Sequence, residues 1–213
     1  MTSFLVLFRF VGYGLLLLTL FDVVSAVIPP QFSSPGWQFQ TAGGFVERSA
    51  VPLIGFILVF YDNHEARKKR ELIVLRILSW IALLSGVFYF ALVVVFFITP
   101  PTLNDLSQKQ VAAQYEPRIA QAKQIQTQLG KADAAQIEAL MKNNRVTGQS
   151  VEMFKSKVMQ EAVTAEKNLT TQADLTNSGQ RLALFKNAIK WGLGALVTGV
   201  IFVRIWAGTA WAR

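Results

Sequence analysis

Asp22, Glu47 and Arg48 are ionisable side chains that stand in or beside apolar runs of this chain. Charge in such places is costly and is normally paired, so each calls for a partner. Asp22 lies near the end of the first run and Arg48 near the start of the second. A short loop joins the two runs, so they are antiparallel neighbours and the two charges share a depth. An Asp22–Arg48 ion pair is one expectation; the other is that each group reaches interface water alone. No chain of acidic groups crosses the middle of any run, which argues against proton-coupled transport.

Other reactive chemistry is sparse. There is no cysteine, hence no disulfide, thiolate metal site or cysteine nucleophile. His64 is the single histidine, too little for a histidine metal site or a Ser-His triad. No Gly-rich phosphate loop, HExxH or GxSxG occurs. We expect no catalytic residues, no metal, no cofactor and a non-enzymatic protein. The net charge of +8 raises nucleic acid as a partner. However, Arg67, Lys68, Lys69 and Arg70 form one run between apolar segments. Such a run fixes topology and can touch anionic lipid headgroups, so no nucleic-acid partner is expected.

The elements that must position these groups are membrane spans. The chain is 52% hydrophobic and 16% charged, against about 25% charged in a soluble domain. The predicted class is an all-α polytopic membrane protein with about four transmembrane helices, at residues 4–28, 41–61, 72–98 and within 182–213. The first run is long enough for a hydrocarbon core of about 30 Å and ends at Pro29-Pro30. Arg9 and Val24-Ser25-Ala26 also fit a signal peptide. Apolar residues on both sides of Arg9 favour an uncleaved span.

The second run is the difficult one. Val51–Tyr61 makes about 16 Å of helix, too short to cross. Extension back to Thr41 takes in Glu47 and Arg48. A half-span or re-entrant helix is the alternative. Pro52 suits a first helical turn, where its missing N–H costs nothing, which leaves Glu47 and Arg48 at headgroup level. The third run, Leu72–Ile98, should end at Pro100-Pro101. In the last run Lys190 and Arg204 bracket the core Trp191–Val203, and Trp191, Trp206 and Trp211 suit an aromatic belt. Gly194/Thr198 and Ala195/Gly199 are small-xxx-small pairs, which permit close helix approach and self-association.

The basic loop places residues 62–71 and both termini in the cytoplasm. Residues 99–181 then lie on the far side, in the periplasm or a thylakoid lumen. Thr102 and Asp105 read as a capping box. Val111, Tyr115, Ile119, Ala122, Ile125 and Leu129 mark one helix face, Gly130 interrupts, and Asp133 restarts a helix. Residues 143–148 form a turn cluster and Ser150 caps a further helix. Val151, Phe154, Val158, Ala162, Ala165 and Leu169 repeat like heptads. The expected object is an antiparallel, coiled-coil-like helical hairpin that returns through Asn177-Ser178-Gly179 into the fourth span. It either packs on itself or also meets other subunits.

A family resemblance rests on an apolar first span ending in proline, then Trp37-Gln38, Val46-Glu47-Arg48-Ser49 and Val51-Pro52-Leu53-Ile54-Gly55, a basic loop, a third span and a Gln-rich segment. In these the chain resembles the HpsJ family of cyanobacterial membrane proteins, linked by name to hormogonium polysaccharide production. The resemblance implies a plasma or thylakoid membrane and a non-enzymatic accessory role, and it carries over no functional residues. The expected function is a scaffold or accessory subunit that acts through helix–helix association, as a homo-oligomer or within a membrane protein complex. It would serve polysaccharide export or photosynthetic-membrane organisation. A small channel or transporter component is the alternative.

Overall fold

A computed structural model of the chain describes residues 2–61, 69–143 and 150–212. The described residues form six α-helices and no strand: α1 Thr2–Val27, α2 Pro35–Glu47, α3 Ala50–Phe60, α4 Lys69–Lys131, α5 Ala134–Asn143 and α6 Val151–Gly208, followed by a 3-10 turn at Ala210–Ala212. Three of them, α1, α4 and α6, carry stretches long and apolar enough to cross a membrane. The pair α2 and α3, bent by 40°, adds a fourth if the two form one span. The chain divides into two compact units, Met1–Leu103 with Leu184–Arg213, and Asn104–Ala183.

The second run differs from a single helix over 41–61. Its helix begins earlier, at Pro35, where Ser34 Oγ accepts from Trp37 N at 3.4 Å. Serine before proline is a strong start signal, because the hydroxyl satisfies an orphan N–H and proline needs no partner there. The helix then breaks at Arg48. Pro52 explains this: it has no N–H for the carbonyl of Arg48, four residues back, and its ring crowds that carbonyl. Val51 N takes the Arg48 carbonyl instead, at 3.2 Å. Pro52 is thus in the first turn of α3.

The break expected at Pro100-Pro101 does not occur. α4 runs straight through Pro100 and Pro101. An interior proline costs a helix about 3 kcal/mol, but packing on both sides outweighs it here. Phe96, 1% exposed, stacks edge-on to Phe39, and Leu103 packs against the same core. α6 likewise runs through Asn177-Ser178-Gly179. Without a proline the cost is small, and the hydroxyls of Thr176 and Ser178 turn back onto the carbonyls of Gln172 and Leu175.

In the first unit α2–α3 is the central strip. It runs antiparallel to α1, with Gly12 against Gly55 and Asp22 against Arg48. It also runs antiparallel to α4, through Phe39–Phe96 and Phe45–Phe88. Along α6 and the 3-10 turn after it the strip is parallel, through Phe39–Trp191, Phe56–Phe202 and Phe60–Trp211. Lipid tails are as apolar as leucine, so helices in a membrane are held by close packing and polar contacts rather than by burial of apolar area. The chain uses both means. A Cβ on Gly12 would lie 2.8 Å from Val59 Cγ2 and 3.0 Å from the Gly55 carbonyl, so α1 and α3 touch backbone to backbone. The core between the helices is apolar and aromatic, with Leu16, Phe56, Ala82, Tyr89 and Phe202 in one cluster.

In the second unit Ser107 Oγ donates to Gln180, Gln126 Nε2 donates to Glu166 Oε2 at 2.7 Å, and Lys155 Nζ donates to the Ala132 carbonyl at 3.3 Å. Rising numbers on α4 meet falling numbers on α6, so these parts run antiparallel. Val111, Ala122 and Leu129 on α4, Ile137 and Met141 on α5 and Ala162 on α6 are buried, while Ile125 is exposed. α5 starts where Asp133 accepts from Gln136 N and Ile137 N, and Ser150 Oγ accepts from Met153 N at 3.3 Å.

Candidate functional site

The break made by Pro52 sends three successive side chains to different neighbours. Glu47 turns to α6, where Lys190 Nζ donates to its Oε1 at 2.7 Å and Trp191 Nε1 donates to the same oxygen at 3.0 Å. Arg48 turns to α1, with Nη1 3.6 Å from Asp22 Oδ1. Ser49 is buried and meets the hydroxyl of Thr198 at 3.1 Å. The bend therefore ties α1, α2–α3 and α6 together.

The Asp22–Arg48 contact lies within ion-pair range and is longer than any hydrogen bond described above. Both side chains are about half exposed, 50% for Asp22 and 59% for Arg48. They line an open cleft of about 310 Å³ between α1 and the bend, with Thr19, Ser25, Gln40 and Thr41 on its polar side. Tyr89 closes it from α4, and its hydroxyl donates to the Phe45 carbonyl at 3.0 Å. Such a cleft can hold a polar group by hydrogen bonds. Among the described residues no group of three His, Cys, Asp or Glu side chains could hold a metal.

At the opposite end of the same unit, Arg9 Nη1 lies 3.6 Å from Glu71 Oε1, and these side chains are only 17% and 23% exposed. Between the two ends Ser79 and Thr209 share a buried hydroxyl contact of 2.8 Å.

Gly194, Ala195, Thr198 and Gly199 face inward, which differs from a face free for self-association. Ala195 and Thr198 are buried. A Cβ on Gly194 would come 2.6 Å from Val46 Cγ1, and one on Gly199 would come 3.3 Å from the Gly86 carbonyl and from the Phe90 ring. Close approach is what small-xxx-small pairs permit, and here the partners are α2 and α4 of the same chain. Of the basic run, Lys69 and Arg70 open α4, while Arg67 and Lys68 lie outside the described residues, as do His64 and most of the turn cluster at 143–148.

Sequence reasoning missed the partners of Glu47, and it treated Lys190 and Trp191 only as interface residues. A signal was available. Lys190 and Trp191 open the last apolar core from the same side on which Glu47 closes α2, so the three share a depth. Arg9 and Glu71 could have been matched by the same counting.

The family model described as "HpsJ-like protein" matches residues 3–210 of the chain. Searches of the curated proteins and of the solved structures give no match.

Proposed function

The chain belongs to the HpsJ-like family, and on that premise we propose that it is a non-enzymatic integral membrane scaffold or accessory subunit. It acts through helix–helix association, as a homo-oligomer or inside a larger membrane complex. One observation carries this reading. The first unit is packed by an apolar and aromatic cluster that includes Leu16, Phe56, Ala82, Tyr89 and Phe202, and its buried hydroxyls and charged side chains contact one another across helices. A small channel or transporter component would need polar groups that line a continuous path through that cluster.

In this reading α2–α3 counts as one span, which makes four. The basic run at residues 67–70 then sets both termini in the cytoplasm, in a plasma or thylakoid membrane. The antiparallel parts of α4 and α6 lie in the periplasm or lumen and meet partners there. The family's name points to polysaccharide export as the associated process, and organisation of a photosynthetic membrane is the other.

Extraction in a gentle detergent, followed by sizing and identification of co-purifying proteins, tests the proposal. The expected particle contains more than one chain. A lone chain, together with solute flux through liposomes carrying it, favours the channel.

A further inference from the structure

The cleft at the α2–α3 bend is at the small end of ligand pockets, which span about 300–1,000 Å³. Its charges sum to zero. A guanidinium has five N–H donors and a carboxylate about four acceptor positions; Arg48 and Asp22 engage each other through one contact of 3.6 Å. Much of that capacity therefore faces the opening. The other polar groups divide in a telling way. The hydroxyls of Tyr89 and Thr19 have given their protons to the carbonyls of Phe45 and Leu15, so they offer lone pairs to a ligand. The Gln40 amide both donates and accepts.

A phosphate that approached Arg48 would meet the Asp22 carboxylate, and an ammonium that approached Asp22 would meet the guanidinium. An uncharged ligand with adjacent hydroxyls avoids both conflicts. Each hydroxyl can donate to Asp22 or Tyr89 and accept from Arg48, and the ion pair stays in place.

The surroundings add an apolar tail. Asp22 lies five residues before the end of α1, about 7–8 Å along the axis, at the edge of the apolar run. Leu18 and Val11 share its helix face, at spacings of four and eleven residues, and both are exposed. They form an apolar strip that leads from the cleft toward the middle of the span.

We infer that this cleft holds the uncharged polyol headgroup, a glycosyl group, of a membrane lipid whose acyl chains lie along that strip of α1. The inference stands apart from the scaffold reading, because a channel or a scaffold could carry such a site.

The test uses the full chain in phosphatidylcholine nanodiscs, purified without any sugar-based detergent. The probe is a diacylglycerol bearing one galactose, and the readout is lipid retained on the protein in native mass spectrometry. The wild type should retain the galactolipid over phosphatidylcholine. Asp22→Asn and Arg48→Gln should each reduce retention by about tenfold, the effect of one hydrogen bond to a charged group. Gln40→Ala leaves the ion pair intact and should still lower retention, with no change in melting temperature. Equal retention of the two lipids overturns the headgroup assignment in favour of a zwitterion. Competition by free methyl galactoside at the concentration of the lipid itself overturns the lipid assignment. Unchanged retention in all three variants overturns the site.

Discussion

Gly43 and Gly44 are neighbours on α2, and alanine at each should move stability in opposite directions. A Cβ on Gly43 would lie 2.5 Å from Trp191 Cδ2 and 2.6 Å from Cε2 and Cε3. The indole must retreat by about 1 Å to restore a normal contact of roughly 3.5 Å. Its other contacts oppose that retreat. The ring stands 5.0 Å from Phe39 and 5.9 Å from Phe96, and Nε1 donates to Glu47. Overpacking costs about 1–3 kcal/mol, and a weakened hydrogen bond to a carboxylate adds roughly 1 kcal/mol. Alanine recovers about 0.8–1.0 kcal/mol of helix propensity, which leaves Gly43→Ala destabilised by about 1–3 kcal/mol. At Gly44 nothing lies within 4 Å of an added Cβ, so only the propensity gain of about 1 kcal/mol remains. Thermal unfolding in one detergent, followed by far-UV circular dichroism and tryptophan fluorescence, compares them. At about 2–4 °C per kcal/mol for a chain of this size, Gly43→Ala should melt below the wild type and Gly44→Ala slightly above it. A Gly43→Ala protein that melts at or above Gly44→Ala refutes the packing of α2 on α6.

Gly199→Leu should lower the melting temperature and the folded yield, because the side chain meets the Gly86 carbonyl and the Phe90 ring; a change in oligomer size with an intact melt would contradict this. A double-mutant cycle of Ser49→Ala and Thr198→Val should give a coupling of about 0.5–1.5 kcal/mol in reversible unfolding, and zero coupling would remove their hydroxyl contact. Arg9→Met should destabilise more than Lys190→Met. The first removes the largely buried positive charge that faces Glu71, at a cost of a few kcal/mol. The second breaks an exposed pair worth less than about 1 kcal/mol. Equal melting temperatures for the two variants would show that burial is not what separates these pairs.

Depth counting was the most informative use of the sequence. Counting from the ends of the apolar runs put Asp22 and Arg48 at one level, and they lie 3.6 Å apart. The same counting, extended to Lys190 and Trp191, reaches the partners of Glu47. Local signals served well where nothing competed with them, as at Asp133 and Ser150, which start helices in the second unit. They failed where packing overrode them. Pro100-Pro101 looks like a stop, yet Phe96 and Leu103 hold α4 in place on either side. Pro52 acts as expected in the first turn of α3, but its effect on the carbonyl of Arg48 is what makes the bend. The small residues of α6 were legible as a close-approach face. Which helix they approach was not, because glycine and alanine carry no information about the partner's identity.

The proposed scaffold role is tested most directly by what the α4 and α6 arms touch in living cells. A photo-crosslinking residue placed at Met153, Val163 and Leu175, all exposed on α6, reads this position by position. Association predicts the same discrete adduct from these sites, either a second copy of the chain or one partner protein. Recovery of only the single, uncrosslinked chain from all three positions would contradict it.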